Sequence, residues 1–190
     1  MPRLVIICLT FALMLRSEAA GADPRYESAS RKLDLIQSGK AKRGATFLFS
    51  PGEVDAWVRG TVPQTIPQGI REPRIELGEG EASGYALIDF LKIREAKGES
   101  TNWMISKLIE GERPVKVSVR LQSAGGRCTV YLTRVELSNA VANGTLLDFL
   151  IKTFLLPLYP DAKINEPFDL GSDVERIEIH RSGVSVVMKR

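Results

Sequence analysis

The stretch VKVSVRLQSAGGRCTVYLTRVEL, residues 115–137, predicts a long antiparallel β-hairpin. Apolar side chains alternate with polar ones along its first half, which is typical of a strand with one buried face. Ala124-Gly125-Gly126 suits a turn, and the alternation resumes after it at Cys128. The alternation then changes phase between Leu132 and Val135. This change predicts a β-bulge near Thr133-Arg134, a device that curves a sheet.

The same period-two pattern predicts two further hairpins, one over residues 71–93 and one over 174–190. In the first, one face carries Ala82, Gly84, Ala86, Ile88 and Phe90. The first three of these side chains are unusually small for a buried face. They leave room close to the backbone for a packed helix or for an elongated ligand.

The clearest helix start in the chain is Ser50-Pro51-Gly52-Glu53. The serine hydroxyl caps a free backbone N–H, the glutamate reaches back, and proline at the first helical position loses no needed donor. Val54 and Trp57 then share one apolar stripe. We expect this helix to end near Gly60, and we expect residues 61–69, which include two prolines, to form an irregular loop.

Three other segments have the period of apolar helices: an amphipathic helix over 26–36, a short helix over 100–111 with Trp103 and Leu108, and the very apolar segment 145–159. The last segment carries Leu146, Leu150 and Phe154. A helix this apolar must be covered nearly all round, by the sheet, by other helices, by lipid or by a partner. It is too short to cross a bilayer.

The first 22 residues have the order of parts found in secretory signal peptides. Arg3 supplies a positive start, residues 4–15 form an apolar run, and Ala20-Gly21-Ala22 matches the small-x-small cleavage pattern. The run is too short for a membrane anchor, which needs roughly 20 apolar residues. We expect cleavage after Ala22, export to the periplasm or out of the cell, and a single domain over residues 23–190.

Charge excludes some partner classes. Residues 23–190 carry 24 Lys and Arg against 22 Asp and Glu, and this near balance predicts neither a nucleic-acid partner nor a strongly acidic one. Lys40, Lys42 and Arg43 form a short basic patch after the first predicted helix. A solvated linker explains this patch at least as well as a peripheral membrane contact does. The sequence leaves the oligomeric state open.

The chain offers little material for catalysis or metal binding. After the predicted cleavage it holds one histidine, His180, and one cysteine, Cys128, so His-rich zinc sites and intrachain disulfides lack their residues. Glu79 and Glu81 have the residue types of an acid–base pair, but alternating glutamates on a strand are more typical of a solvated face. The sequence therefore predicts no enzyme, no catalytic residue, no metal and no cofactor.

Together these elements predict an α+β fold in which a curved antiparallel β-sheet of hairpins wraps apolar helices. Its most distinctive runs are FSPGEVDAWV (49–58), PRIELGEG (73–80) with ALIDF (86–90), the apolar segment 146–158, and IEIHRSGVSV (177–186). In element order, from Thr46 to Met188, the chain resembles small exported bacterial proteins of the TULIP-like lipid-binding class. The resemblance implies a tapered, half-open sheet that holds acyl chains in an apolar groove.

We therefore expect an exported, non-enzymatic binder or carrier of lipid or similar apolar molecules. The expected groove is lined by Val54, Trp57, Ala82, Gly84, Ala86, Trp103, Leu108, Leu146, Leu150 and Phe154. The alternative is an envelope structural or interaction protein. In that case the apolar helix only fills the core, and an exposed sheet edge recruits another chain by strand addition.

Overall fold

The computed structural model describes residues 23–65, 69–96, 110–152 and 163–190. Along them the elements are α1 (Pro24–Gln37), β1 (Thr46–Phe49), α2 (Pro51–Thr65), β2 (Ile70–Leu77), β3 (Glu81–Asp89), α3 (Phe90–Ala96), β4 (Glu112–Ala124), β5 (Arg127–Leu137), β6 (Ala140–Val141), α4 (Gly144–Leu150), β7 (Pro167–Asp169), β8 (Val174–His180) and β9 (Gly183–Met188). The named strands pair antiparallel, mostly as hairpins, and the helices pack beside them. The predicted α+β class is therefore confirmed.

The strands form two sheets. The larger has the order β2-β3-β4-β5-β6, with β7 also paired to β5, and the smaller has the order β1-β9-β8. Sequence alternation indicated the hairpins β2–β3, β4–β5 and β8–β9 but not their division between sheets. That division depends on β1, whose four residues pair with β9 across more than 130 positions of sequence.

The central hairpin has the predicted turn and bulge. Gly125 and Gly126 both have positive φ, +59° and +75°, as a type I′ turn requires. On β4 and β5, Ser118 pairs with Arg134, whereas the next residue pairs with Leu132, so Thr133 is unopposed. The Thr133 hydroxyl donates to the carbonyl oxygen of Ser118 at 2.9 Å. The bulge therefore lies where the phase change placed it.

The outer edge of β8 lies against β4, so the two sheets share a seam. Ser123 on β4 hydrogen-bonds both backbone polar groups of Ile177 on β8, with distances of 2.6 and 2.7 Å. The carbonyl oxygen of Ile179 accepts the N–H of Gly80 at 2.8 Å. This edge of the small sheet therefore has hydrogen-bond partners inside the protein, and the two sheets continue into one curved wall.

Helix α2 begins as predicted but ends later. Its capping box is present: the Ser50 N–H donates to Glu53 Oε2 at 2.7 Å, and the Glu53 N–H donates to the Ser50 hydroxyl at 3.2 Å. The predicted end at Gly60 is wrong, because α2 continues through Gly60 and Pro63 to Thr65. Gly60 serves close packing instead of a helix stop, since a Cβ there would overlap the ring of Tyr26 on α1. Contact between the two helices outweighs the helix-breaking propensity of these residues.

The end of β3 also differs from the prediction. Phe90, assigned to the strand by alternation, is instead the first residue of α3. Asp89 causes the change: its Oδ1 accepts the N–H of Lys92 at 3.1 Å, which is the geometry of a helix N-cap. Gly69 accepts the Asp89 N–H at 2.8 Å and fixes this corner from the side of β2.

Within the described ranges, the core consists of two apolar clusters. The first cluster joins Phe90 and Ile93 of α3 and Leu150 of α4 to the β4–β5 hairpin. The second cluster joins α1 to β1, β9 and the other end of β5. Of the four α1 residues that the predicted periodicity marked, it contains Ala29, Leu33 and Ile36, whereas Tyr26 lies against Gly60 of α2. The predicted helix over 100–111 lies almost wholly outside the described residues, and so does the end of the predicted helix over 145–159.

Candidate apolar binding face

The inner face of the larger sheet is mainly apolar. Directly opposed residues of an antiparallel pair have side chains on the same face, so the register defines rows across the sheet. One row contains Leu77, Ala82, Val119 and Leu132, the next contains Ile75, Gly84, Val117 and Val135, and a third contains Ala86, Val115 and Leu137. Ala82, Gly84 and Ala86 therefore share one apolar face, as their alternation predicted.

The outer face of the same strands is polar. Charged and hydroxyl side chains form cross-strand pairs that are open to water, as expected where one side of an antiparallel sheet faces solvent. They are Arg120 with Glu81 at 2.7 Å, Ser83 with Ser118 at 2.8 Å, and Tyr85 with Glu76 at 2.9 Å. The apolar rows must therefore be the side that the protein or a ligand covers.

The two core clusters cover the two ends of the apolar face. The first cluster covers one end and reaches the middle: Val115, Val135 and Leu137 are buried in it, and Val117 and Leu132 pack against it. Cys128, at the other end of the hairpin, belongs to the second cluster. Between these ends Val119 is only half-buried. A Cβ built on Gly84 would meet no atom of the described residues within 4 Å. The described residues therefore leave a narrow slot beside Gly84, among side chains that the first cluster already packs against.

The predicted groove residues fall into three groups. Gly84 lies at the slot, the buried Ala82 lies in the next row, and Ala86 lies in the row of Val115 and Leu137 that the first cluster covers. Leu150 packs into the first cluster at one end, whereas Val54 and Trp57 pack against the second cluster at the other end. Outside the described residues lie Trp103, Leu108, Phe154 and the side chain of Leu146. A single groove lined by all ten residues stays a prediction.

Arg113 is a further candidate residue on this face, and the sequence analysis did not single it out. It pairs with Ile88 of β3, so it lies on the apolar face, two positions before Val115. Its side chain is half-buried, and its Nε is buried without a hydrogen-bond partner. Within the described residues no carboxylate forms an ion pair with it. The sequence pattern could have shown this position. Val115 and Val117 alternate on one face of β4, and the same alternation taken one step toward the start of the strand reaches Arg113.

Helix α2 closes the β2 edge of the face. Asp55 on α2 accepts the N–H of Ile75 on β2 at 3.1 Å, so the helix side chain occupies a backbone donor of the edge strand. The same helix is fixed to α1 through Glu53, which accepts hydrogen bonds from Ser28 and Lys32, each at 2.6 Å. The position of α2 beside the slot thus rests on two buried or half-buried carboxylates.

Glu53 is held ionised. Burial raises its pKa, but hydrogen bonds from Lys32, from Ser28 and from the Ser50 N–H outweigh burial and lower the pKa to about 2. The carboxylate is therefore charged throughout the physiological range. Its role is structural, because every oxygen contact that it makes is to α1 or to its own helix start.

Glu79 and Glu81, considered above as an acid–base pair, have separate partners. Glu79 accepts the Arg181 N–H at 3.2 Å and lies 3.1 Å from His180 Nδ1, and these contacts lower the pKa of its carboxyl group. Glu81 pairs with Arg120 on the polar face. Both glutamates are at least partly solvated, and they do not face a common cleft.

Two other features were considered as sites. No group of His, Cys, Asp and Glu side chains within the described residues has the arrangement of a metal site. A shallow, open depression of about 320 Å³ lies at the tip of the β4–β5 hairpin, beside Gln122, Arg127 and Pro167. Its mixed, solvent-open lining does not suit an apolar ligand. The slot around Gly84 is therefore the stronger candidate.

Comparison with protein-family models and with curated proteins found no match for this chain. Across the parts of the chain that the structure describes, no helix is long and apolar enough to cross a membrane.

Proposed function

We propose that the protein is an exported, non-enzymatic binder or carrier of an acyl-chain lipid, held against the inner face of the larger sheet. The observation that carries this proposal is the combination of Gly84 with its open surroundings and the apolar rows on both sides of it. Each methylene that leaves water in such a slot contributes about 0.8 kcal/mol. A chain-shaped ligand therefore needs no catalytic or charged group along its length.

Arg113 supports a ligand with an anionic head. A half-buried guanidinium without a carboxylate partner is unfavourable on an apolar face unless something pairs with it. A fatty-acid carboxylate or a phosphate diester would supply that partner, and a guanidinium binds either group through two hydrogen bonds. The tail would then run along β3 past Ala86 and Gly84. The predicted substrate class is an acidic amphiphile.

The alternative function, recruitment of another chain by strand addition, is less well supported. Lys32 donates a hydrogen bond to the carbonyl oxygen of Leu48 on β1 at 2.6 Å, and Asp55 accepts one from the N–H of Ile75 on β2. Both strands lie at the edge of their sheets. Charged side chains on edge strands are a common means of preventing strand addition.

Mass spectrometry of organic extracts from the purified protein tests the proposal. We expect an acyl-chain amphiphile at near-stoichiometric amount, and we expect Arg113→Gln to shift the extract away from acidic species while the melting temperature is kept. A matched control is Arg74→Gln, since Arg74 is an exposed cation on β2. An empty extract, together with no uptake of fatty acid or phospholipid by the delipidated protein, would show that the face is plain core.

A further inference from the structure

The loop after α1 and the end of β9 meet at one end of the molecule. The Gly44 N–H donates to the carbonyl oxygen of Lys189, and the Met188 N–H donates to the carbonyl oxygen of Ala45, each at 2.8 Å. These bonds bring together five exposed cations, which we name the basic end: Lys40, Lys42, Arg43, Lys189 and Arg190.

The basic end is unpaired. Within the described residues none of its five cations forms a salt bridge. The backbone of Lys189 is held by its N–H, which donates to the carbonyl oxygen of Asp173 at 2.7 Å. Over residues 23–190, removing these five leaves 19 Lys and Arg against 22 Asp and Glu. The rest of residues 23–190 therefore carries a slightly negative net charge, and these five cations account for the positive total.

Two large apolar side chains are exposed on the two elements, α1 and β1, that flank the loop of the basic end. Leu48 on β1 is 66% exposed, and Leu35 in the last turn of α1 is 45% exposed. Lys32 lies between them: it precedes Leu35 by one helical turn, and its Nζ binds the carbonyl oxygen of Leu48. Lys32 itself is paired with Glu53, so the free positive charge is that of the basic end. Free cations together with exposed leucines form the combination that inserts into the interface of an anionic membrane.

We infer that the basic end, with Leu35 and Leu48, docks the protein on the surface of an anionic phospholipid bilayer. The cations would meet lipid phosphates, and the two leucines would enter the boundary between headgroups and acyl chains. A nucleic acid or another hydrophilic polyanion would use the cations but leave the leucines in water. This inference goes beyond the proposed ligand and does not depend on it, because Arg113 and the basic end lie at opposite ends of β4.

Co-sedimentation with vesicles tests the docking surface, with wild type and variants purified in the same form. We expect binding to vesicles containing phosphatidylglycerol, little binding to pure phosphatidylcholine, and loss of binding at high salt. Lys40→Gln/Lys42→Gln/Arg43→Gln should weaken binding by roughly 100-fold, since each basic residue near an anionic surface contributes about fivefold. Arg74→Gln/Lys163→Gln/Arg181→Gln removes the same charge at exposed positions elsewhere and should bind like the wild type.

The variant Leu48→Ser distinguishes a membrane partner from a polyanionic one. It should weaken vesicle binding severalfold but leave the retention on immobilised heparin unchanged. The inference is overturned if the wild type does not sediment with anionic vesicles, if the two triple variants behave alike, or if Leu48→Ser binds vesicles as well as the wild type does. Lipid extraction from the same preparations reports on the slot separately, so failure of docking and failure of ligand binding are distinguishable.

Discussion

The hydroxyl of Ser123 on β4 satisfies both backbone polar groups of Ile177 on β8: it donates to the carbonyl oxygen at 2.6 Å and accepts the N–H at 2.7 Å. One half-buried side chain thus replaces the strand that would otherwise pair with the edge of the smaller sheet. Through this seam the two sheets form one curved wall. The slot lies on the inner face of that wall.

Ser123→Ala should therefore destabilise the protein by about 2 kcal/mol, because it leaves two backbone groups without their partner. Chemical denaturation measures the change. Ser118→Ala is the matched control on the same strand, and it should cost less than about 1 kcal/mol, since Ser118 loses only one bond with Ser83 on the polar face. Equal effects of the two changes would show that the seam is not held by Ser123.

Glu53 makes the free energy of unfolding depend on pH. Its pKa is about 2 in the folded protein and near 4.3 when unfolded, so its contribution is complete above about pH 5 and is lost as the pH falls toward 2. We expect Glu53→Gln to be less stable than the wild type by up to roughly 3 kcal/mol at pH 7. The difference should shrink as the pH falls below 4. Urea unfolding at several pH values measures it.

The control for this prediction is Glu81→Gln, which removes an exposed ion pair with Arg120. Such pairs contribute at most about 1 kcal/mol, so this variant should show a small change with weak pH dependence. A Glu53→Gln difference that stays constant from pH 7 to pH 3 would contradict the account of the α1–α2 contact.

Gly60→Ala should destabilise the protein, although alanine at an exposed helix position normally gains about 1 kcal/mol over glycine. The new Cβ would overlap the ring of Tyr26, so α1 and α2 would have to separate. Thermal melting measures the effect. Gly52→Ala, at the start of the same helix, meets only the flexible Arg25 side chain and should be neutral or stabilising. In a Tyr26→Ala background the penalty of Gly60→Ala should disappear.

Local patterns predicted most of the elements because their causes are local. Alternation placed the hairpins, the capping box at Ser50 started α2, and the phase change after Leu132 located the bulge. The misplaced boundaries have tertiary causes. Gly60 continues a helix because Tyr26 packs on it, a contact between residues 34 positions apart. The pairing of β1 with β9, which creates the second sheet, had no local signal at all.

The candidate site divides in the same way. Alternation put Ala82, Gly84 and Ala86 on one face, and the register agrees. The same reasoning applied one step further along β4 would have found Arg113. Val54 and Trp57 lie at the end of the face opposite Leu150 because α2 packs on α1. No spacing in the sequence encodes that helix packing.

If the slot around Gly84 holds an acyl chain, the delipidated protein should bind a fluorescent fatty acid in a direct titration. Gly84→Leu places a side chain where the described residues leave space, at a position without positive φ, so the fold should survive. Ser83→Leu adds the same side chain one residue away, on the polar face.

We predict that Gly84→Leu weakens binding at least roughly tenfold, which corresponds to the loss of about two methylene contacts. Its melting temperature should stay within about 4 °C of the wild-type value, and Ser83→Leu should bind the fatty acid normally. The account would be contradicted by Gly84→Leu binding the probe as tightly as the wild type, or by a collapsed melt of Gly84→Leu together with no detectable binding in the wild type.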